Sequence, residues 1–157
     1  MKDHYQVSPI GWVRSDRSQP IDDDWDAVSS FIDLDPEQFG PEALAGLDSF
    51  SHAEIIFLFD QVSDKKIETG ARHPRGRSDW PKIGIFAQRG KNRPNRLGLT
   101  TCEILKVDGL KLHVKGLDAI DGTPVLDIKP VMSGFHAQTR IQEPEWAKEI
   151  MTNYWRS

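Results

Sequence analysis

The sequence has few of the features that mark a disulfide-rich or membrane-anchored protein. Cys102 is its single cysteine, so no intrachain disulfide can form. No stretch approaches the ~20 apolar residues that are needed to cross a bilayer. The first residues, MKDHYQVSPIGWV, contain no long apolar run of the kind found in signal peptides. These absences predict a cytoplasmic protein with no membrane partner.

Several chemical motifs are absent as well. The histidines form no HxH or HExxH pattern, and we therefore predict no bound metal. No GxGxxG follows a strand, which argues against a Rossmann-type dinucleotide site, and there is no GxSxG elbow. Cys102 lies in the strand-like segment LTTCEIL, so we interpret it as a small core residue rather than a nucleophile.

The composition is typical of a single soluble domain. At 157 residues, with 38% apolar and 28% charged residues, the chain can bury a core without disulfides or metals. We therefore predict one domain over residues 1–157. The net charge of -4 argues against generic nucleic-acid binding.

Acidic and basic residues are segregated along the chain. Positions 16–48 hold ten acidic residues and one base, Arg17, whereas positions 72–96 hold eight bases and one acid, Asp79. A basic cluster of this kind is a candidate anion site. The alternative is a solvated basic loop that lies against the acidic segment, and composition favours neither interpretation.

Strand patterns outnumber helix patterns, which predicts a mainly β protein. Apolar or alternating runs occupy residues 5–13, 30–34, 53–62, 82–87, 97–107, 110–117 and 123–128. The near-continuous run AEIIFLFDQV at 53–62 predicts a strand buried on both faces. The Asp-Gly pair at 108–109 predicts a β-hairpin with a type I′ turn. Closing such a sheet into a barrel would remove its exposed edges.

Helix patterns are confined to two segments. Pro36, Pro41 and Gly46 are placed to start and end short helical turns. Residues 144–155 predict an amphipathic C-terminal helix, because Pro144 precedes apolar residues spaced by threes and fours. We expect its aromatic face to pack on the barrel or on a second subunit.

Two polar segments in the middle of the chain are candidate functional loops. Residues 63–81 are rich in Gly, Pro and charge, and a loop of that length is either functional or disordered. Residues 86–98 (FAQRGKNRPNRLG) combine a stiff turn with arginines that can bind a carboxylate or phosphate. Both lie in the basic part of the chain, which favours an anionic ligand.

Two further polar clusters accompany apolar strands. Residues 117–130 (LDAIDGTPVLDIKP) place Asp127 within a predicted buried strand, where a carboxylate needs a partner such as Lys129. Asp121 precedes a glycine in the same segment, and we interpret it first as a turn cap. Asp60 and Gln61 end the apolar run at 53–62, and such residues either line a barrel mouth or mark where the strand reaches water.

The motifs taken together resemble the TsaA-like family, also known as TrmO or YaeB-like proteins. GIFAQR at 84–89, RPNRLG at 93–98 and LDAIDGTPVLDIKP at 117–130 occur in the family's order, and the resemblance covers about residues 10–130. It implies a closed or nearly closed, antiparallel-rich β-barrel that binds S-adenosylmethionine and is usually dimeric. Characterised members methylate N6 of threonylcarbamoyladenosine beside the tRNA anticodon.

The resemblance also implies individual contacts. Cofactor contacts fall on Asp60, Gln61, Arg89, Leu99, Lys115, Gly116, Leu117 and Asp118. Arg89 would pair with the carboxylate of S-adenosylmethionine, Asp118 would bond its ribose hydroxyls or amino group, and amides around Leu99 would bond the adenine edge. Contacts with the methyl acceptor are expected at Arg72, Arg75, Arg77, Arg93, Asn95 and Lys129. Asp127 or Asp121 is expected to take the acceptor's proton.

The chain also departs from the family pattern. It has RPNRLG where most members have RPNPIG, Val131 follows DIKP where they have an aromatic, and DDDWD at 22–26 replaces a PRQ-type segment. Arg96 therefore adds a charge to the loop, and the acidic stretch would repel phosphates. Three functions stay open: a tRNA methyltransferase, a small-molecule methyltransferase of the same fold, and a non-catalytic sensor of S-adenosylmethionine.

Overall fold

Six strands of the chain close into an antiparallel barrel. The computed structural model describes residues 3–156. Its strands are β1 (Gly11–Ser15), β2 (Ser29–Leu34), β3 (His52–Leu58), β4 (Ala71–Arg72), β5 (Ile83–Gly84), β6 (Leu97–Asp108), β7 (Lys111–Lys115) and β8 (Pro124–Pro130). The barrel order is β1-β2-β7-β6-β3-β8, and β4 and β5 form a separate two-stranded sheet. The predicted mainly β, closed antiparallel barrel is confirmed.

Alternate residues of each strand fill the barrel interior. Val13, Ile32, Ile55, Leu112 and Val125 are fully buried there. Burial also alternates along β3, so the prediction of a strand buried on both faces is wrong. The physical reason is the closed barrel, because only one side of each strand faces its core.

The predicted strands are present with shifted ends, and one of them is mostly not a strand. Of the predicted strand at residues 5–13, only the part from Gly11 onward belongs to a strand, β1. Residues 82–87 form the two-residue strand β5 and then a 3₁₀ turn over Ile85–Ala87. That turn buries Ile85 and leaves Phe86 exposed. The apolar residues of this segment are therefore divided between core and surface by a turn, not by strand alternation.

The predicted hairpin joins β6 and β7, but its turn is of another type. Asp108 pairs with Lys111, so the two central turn residues are Gly109 and Leu110. Of these two, only Gly109 has a positive φ, 58°. Glycine at the first central position with this sign of φ is the type II′ pattern, and the type I′ prediction is wrong.

The C-terminal helix is shorter than the predicted residues 144–155. Helix α1 spans Glu145–Ile150, and turns follow it as far as Trp155. Within residues 3–156, no helix is both long enough and apolar enough to cross a membrane. Trp146 and Tyr154 are half-buried, so this end of the chain packs on the rest of the molecule.

Replacing Gly98 by alanine is expected to destabilise the fold by about 1–3 kcal/mol. Gly98 lies opposite Phe57, and an added Cβ would overlap the Phe57 ring. Gly134→Ala is the matched control, because a Cβ there meets no atom within 4 Å. Thermal unfolding followed by circular dichroism measures both variants. Equal melting temperatures would contradict this packing.

Candidate functional site

The first residues of β6 form the centre of the candidate site. Strand β7 pairs with β6 only as far as Lys115 opposite Glu103, so the start of β6 extends past the end of β7. The chain then turns at Gly116, which has a φ of 81°. The Gly116 N–H donates to the Val28 carbonyl at 2.9 Å. This turn brings the residues after β7 back beside the start of β6.

Asp118 lies beside Thr100 at this point. Its carboxylate accepts hydrogen bonds from the Thr100 hydroxyl on one oxygen and from the Tyr154 hydroxyl on the other. Thr100 is buried, with 5% of its surface exposed, and Asp118 is half-buried. A carboxylate removed from water needs such donors to replace its hydration.

The charge of Asp118 affects two neighbouring groups. Burial, and then the Asp118 charge, raise the pKa of the Cys102 thiol to about 12. The same two causes raise the pKa of the Tyr154 hydroxyl above its ordinary value. Cys102 is therefore a buried, protonated thiol, as expected of a core residue rather than a nucleophile. Tyr154 stays a hydrogen-bond donor at neutral pH.

Arg89 is fixed to the neighbouring residue of β6. Its Nη2 donates to the Leu99 carbonyl at 2.7 Å, while the rest of the side chain is exposed. Arginine carries five N–H donors, so this one bond leaves others for a ligand. A cation and a carboxylate are thus held on Leu99 and Thr100, two successive residues of one strand.

The loop before β6 is held by a buried glutamine. The Gln88 side-chain amide donates to the carbonyls of Arg72 at 3.1 Å and Ile83 at 3.0 Å, which tie it to both strands of the small sheet. Arg93 in turn donates to the Gln88 carbonyl at 2.6 Å. These bonds fix the backbone on which Arg89 is carried.

Arg96, the departure from the family motif, has a structural contact. Asn95 and Arg96 both have positive φ, 62° and 53°. Arg96 donates to the Val62 carbonyl at 2.6 Å, and the Phe59 N–H donates to the Arg96 carbonyl at 2.8 Å. The added arginine therefore attaches the segment that contains Asp60 and Gln61 to the start of β6.

Comparison with known proteins places the chain in a family. The model of the tRNA-methyltransferase O N-terminal domain matches residues 14–137. The chain belongs to this family. The crystal structure of TrmO from Pseudomonas aeruginosa superposes with a TM-score of 0.75 at 28% identity, covering 93% of this chain and 63% of that one.

Two relatives show how the lengths compare. A human protein named "tRNA (adenine(37)-N6)-methyltransferase" is 37% identical over 102 residues, 65% of this chain and 23% of that protein. A Methanothermobacter thermautotrophicus protein named "Probable S-adenosyl-L-methionine-binding protein" is 36% identical over 129 residues, 80% of this chain and 88% of that one. The chain thus spans about a quarter of the human relative and most of the archaeal one.

The structure places the residues predicted to bind the cofactor at one end of the barrel. Asp60 and Gln61 are exposed just after β3, beside the start of β6. Arg89 is bonded to the Leu99 carbonyl, and Asp118 is bonded to Thr100, the next residue of β6. The remaining three follow one another at and after the end of β7: Lys115 is exposed, while Gly116 and Leu117 are buried. Their contact with a cofactor stays a prediction.

The predicted acceptor-binding cations already have intramolecular partners. Arg75 pairs with Asp23 at 3.0 Å and approaches Asp22 at 3.9 Å. Arg77 pairs with Asp79 and stacks on Trp80. The acidic segment therefore lies against the basic one at Arg75, as the second interpretation of the charge pattern expects.

Arg72 differs from these cations. Its guanidinium packs against Gly90, where a Cβ would stand 2.6 Å from Nη2. Its Nε is buried and has no hydrogen-bond partner within residues 3–156. Arg72 thus places its guanidinium against Gly90, the residue after Arg89. Asn95, by contrast, is exposed on the turn before β6.

The two candidate proton acceptors have other partners. Asp121 is exposed and accepts the Ser15 backbone N–H at 3.0 Å, as a turn cap does. Asp127 pairs with Lys129 at 3.2 Å, as expected, but 48% of its side chain is exposed, so its predicted burial is wrong. The reason is its position opposite Ile56 on the outer side of the barrel. A catalytic role for either residue stays a prediction.

Sequence reasoning missed Thr100 and Tyr154. Thr100 was detectable as a polar residue at an inward position, between Gly98 and Cys102, on an alternating strand. Tyr154 could not be assigned, because its contact with Asp118 depends on how the C-terminus folds back. Among residues 3–156, no three His, Cys, Asp or Glu side chains come together to hold a metal ion.

The Tyr154–Asp118 contact predicts that the folded protein loses stability at high pH. Because the pKa of Tyr154 is raised in the folded protein, its contribution is present below the unfolded value of about 10 and is lost as pH rises above it. Melting temperature should therefore fall more steeply above about pH 10 in the wild type than in Tyr154→Phe. Tyr5→Phe is the control, because Tyr5 is 89% exposed. Parallel curves for all three proteins would argue against the contact.

Proposed function

We propose that the chain is an S-adenosylmethionine-dependent methyltransferase that methylates N6 of threonylcarbamoyladenosine at position 37 of tRNA. Membership of the TrmO family and the names of its relatives support this proposal. The observation that carries it is the fixing of Arg89 and Asp118 to successive residues of β6.

The residues at this end of the barrel fit the cofactor chemically. S-adenosylmethionine has a carboxylate, an amino group and ribose hydroxyls. Arg89 is exposed and keeps free donors for the carboxylate, and the Arg72 guanidinium packs against the next residue, Gly90. Asp118 has acceptor positions for the hydroxyls or the amino group. The Leu99 backbone lies between these charged groups.

The chain's own contribution to the reaction is positioning. When bound, the cofactor supplies an activated methyl group on a sulfonium. Holding two groups of the cofactor on successive residues of one strand would fix the reacting carbon relative to the acceptor, which lowers the entropic part of the barrier. The acceptor nitrogen loses a proton on methylation. Asp127 and Asp121 are our candidates to receive it, and Lys129 pairs with the Asp127 carboxylate at 3.2 Å.

The proposal includes tRNA as the partner and a homodimer as the assembly. Basic side chains that remain exposed near the site, such as Lys91 and Lys115, support RNA binding. Leu97, Leu99 and Leu105 expose 45–49% of their surface on the outer side of β6, which supports association of this face with a second subunit.

A second candidate is a small-molecule methyltransferase of the same fold. The observation that favours it is the pairing of Arg75 with Asp23 and Asp22. These carboxylates neutralise one cation of the basic segment and place negative charge where an RNA phosphate would approach. A small acceptor without phosphates would not meet this repulsion.

Arg89→Ala is expected to weaken S-adenosylmethionine binding about tenfold or more, because a hydrogen-bonded ion pair with the carboxylate is lost. Isothermal titration calorimetry of the purified protein measures the change. Lys91→Ala is the matched control, since it removes an exposed cation two residues away. If folded wild-type protein does not bind S-adenosylmethionine, the assignment of this cofactor is wrong.

Methyl transfer to tRNA separates the two candidate functions. With tritiated S-adenosylmethionine, tRNA that carries threonylcarbamoyladenosine should accept label, and tRNA that lacks this modification should not. RNA affinity should fall steeply with salt, because binding releases counterions. Label in the free modified nucleoside but not in tRNA would favour the small-molecule function instead.

A further inference from the structure

The segment after α1, residues 151–156, crosses the site end of the barrel, and we call it the C-terminal strap. Its backbone is tied to the acidic stretch: the N–H of Asp24 donates to the Asn153 carbonyl at 3.1 Å, and the N–H of Trp25 to the Tyr154 carbonyl at 2.9 Å. These bonds hold the strap independently of its side chains.

The helix before the strap is tied down as well. The indole N–H of Trp80 donates to the Glu149 carboxylate at 2.7 Å, and Trp80 itself is buried. Arg17 stacks on Trp25 at 3.5 Å from the ring centre and donates to three carbonyls of its own loop. The acidic stretch is thus an ordered support for the strap.

The strap side chains reach the residues assigned to the cofactor. The Tyr154 hydroxyl donates to Asp118, and the Trp155 ring lies 3.7 Å from the position of a Cβ on Gly116. Tyr154 and Trp155 also pack edge to face, with ring centres 5.0 Å apart. Two aromatic side chains therefore cover the segment between Gly116 and Asp118.

We propose that Tyr154 is a positioning residue for the cofactor and acts through the Asp118 carboxylate. This inference rests on the function proposed above. Thr100 holds one oxygen of Asp118 and Tyr154 holds the other, so the carboxylate has a single orientation. An ionised carboxylate offers about four acceptor positions, and two donors leave room for hydroxyl or amino groups of a ligand.

The alternative is that Tyr154 competes with the ligand for Asp118. The two accounts predict opposite effects of Tyr154→Phe, which removes only the hydroxyl and keeps the ring. Positioning predicts weaker binding, because Asp118 loses one of its two fixed donors. Competition predicts tighter binding.

Calorimetric titration of three proteins tests the proposal. Wild type and Tyr5→Phe, which changes the other tyrosine of the chain, should bind S-adenosylmethionine equally. Tyr154→Phe should bind about five- to tenfold more weakly. S-adenosylhomocysteine should show the same loss, because it shares the ribose and amino-acid groups. Equal or tighter binding by Tyr154→Phe would overturn the proposal.

A second measurement does not require Tyr154→Phe to fold. In Tyr5→Phe protein Tyr154 is the only tyrosine, so biosynthetic 3-fluorotyrosine gives one ¹⁹F resonance from the strap. Saturation with S-adenosylhomocysteine should shift this resonance. An unchanged resonance despite calorimetric binding would overturn the role of Tyr154 alone, whereas absence of all binding by wild type would overturn the proposed function.

Discussion

The partly buried carboxylate of Asp118 is the constraint on which this end of the barrel depends. A charge removed from water must be supplied with donors, and the two that it has come from distant parts of the chain. Thr100 comes from the inner face of β6, and Tyr154 comes from the C-terminus. Folding of the tail onto the barrel thus supplies a hydrogen-bond donor to this one carboxylate.

The same constraint gives a structural reason for the acidic stretch at 22–26. Its backbone holds the strap through Asp24 and Trp25, and its carboxylate at Asp23 pairs with Arg75 of the basic segment. Negative charge near a candidate phosphate-binding region is therefore partly neutralised within the molecule. The charge segregation seen along the sequence becomes a contact between the two segments.

The sequence predicted the barrel well because strand alternation is a local property. The cofactor contacts that the family resemblance implies lie together in the structure, because the end of β3, the start of β6 and the end of β7 meet where these strands pair. It did not predict the half-exposure of Asp127, since an apolar neighbourhood along a strand does not say which side faces the core. Nor did the sequence predict Tyr154, whose side-chain hydrogen bond to Asp118 joins positions 36 residues apart and leaves no periodic pattern in the sequence.

The partners of the arginines in the basic segment bear on where an anionic group of a ligand can bind. Arg75 and Arg77 are paired with carboxylates, and Arg93 and Arg96 with backbone carbonyls. These arginines shape the loop, and Arg75 and Arg77, which are paired with carboxylates, would have to exchange that partner to bind an anion. In the part of the chain that the structure describes, Arg89 has no carboxylate partner, and its exposed guanidinium gives one bond to the Leu99 carbonyl, so it can bind an anionic group without giving up that bond.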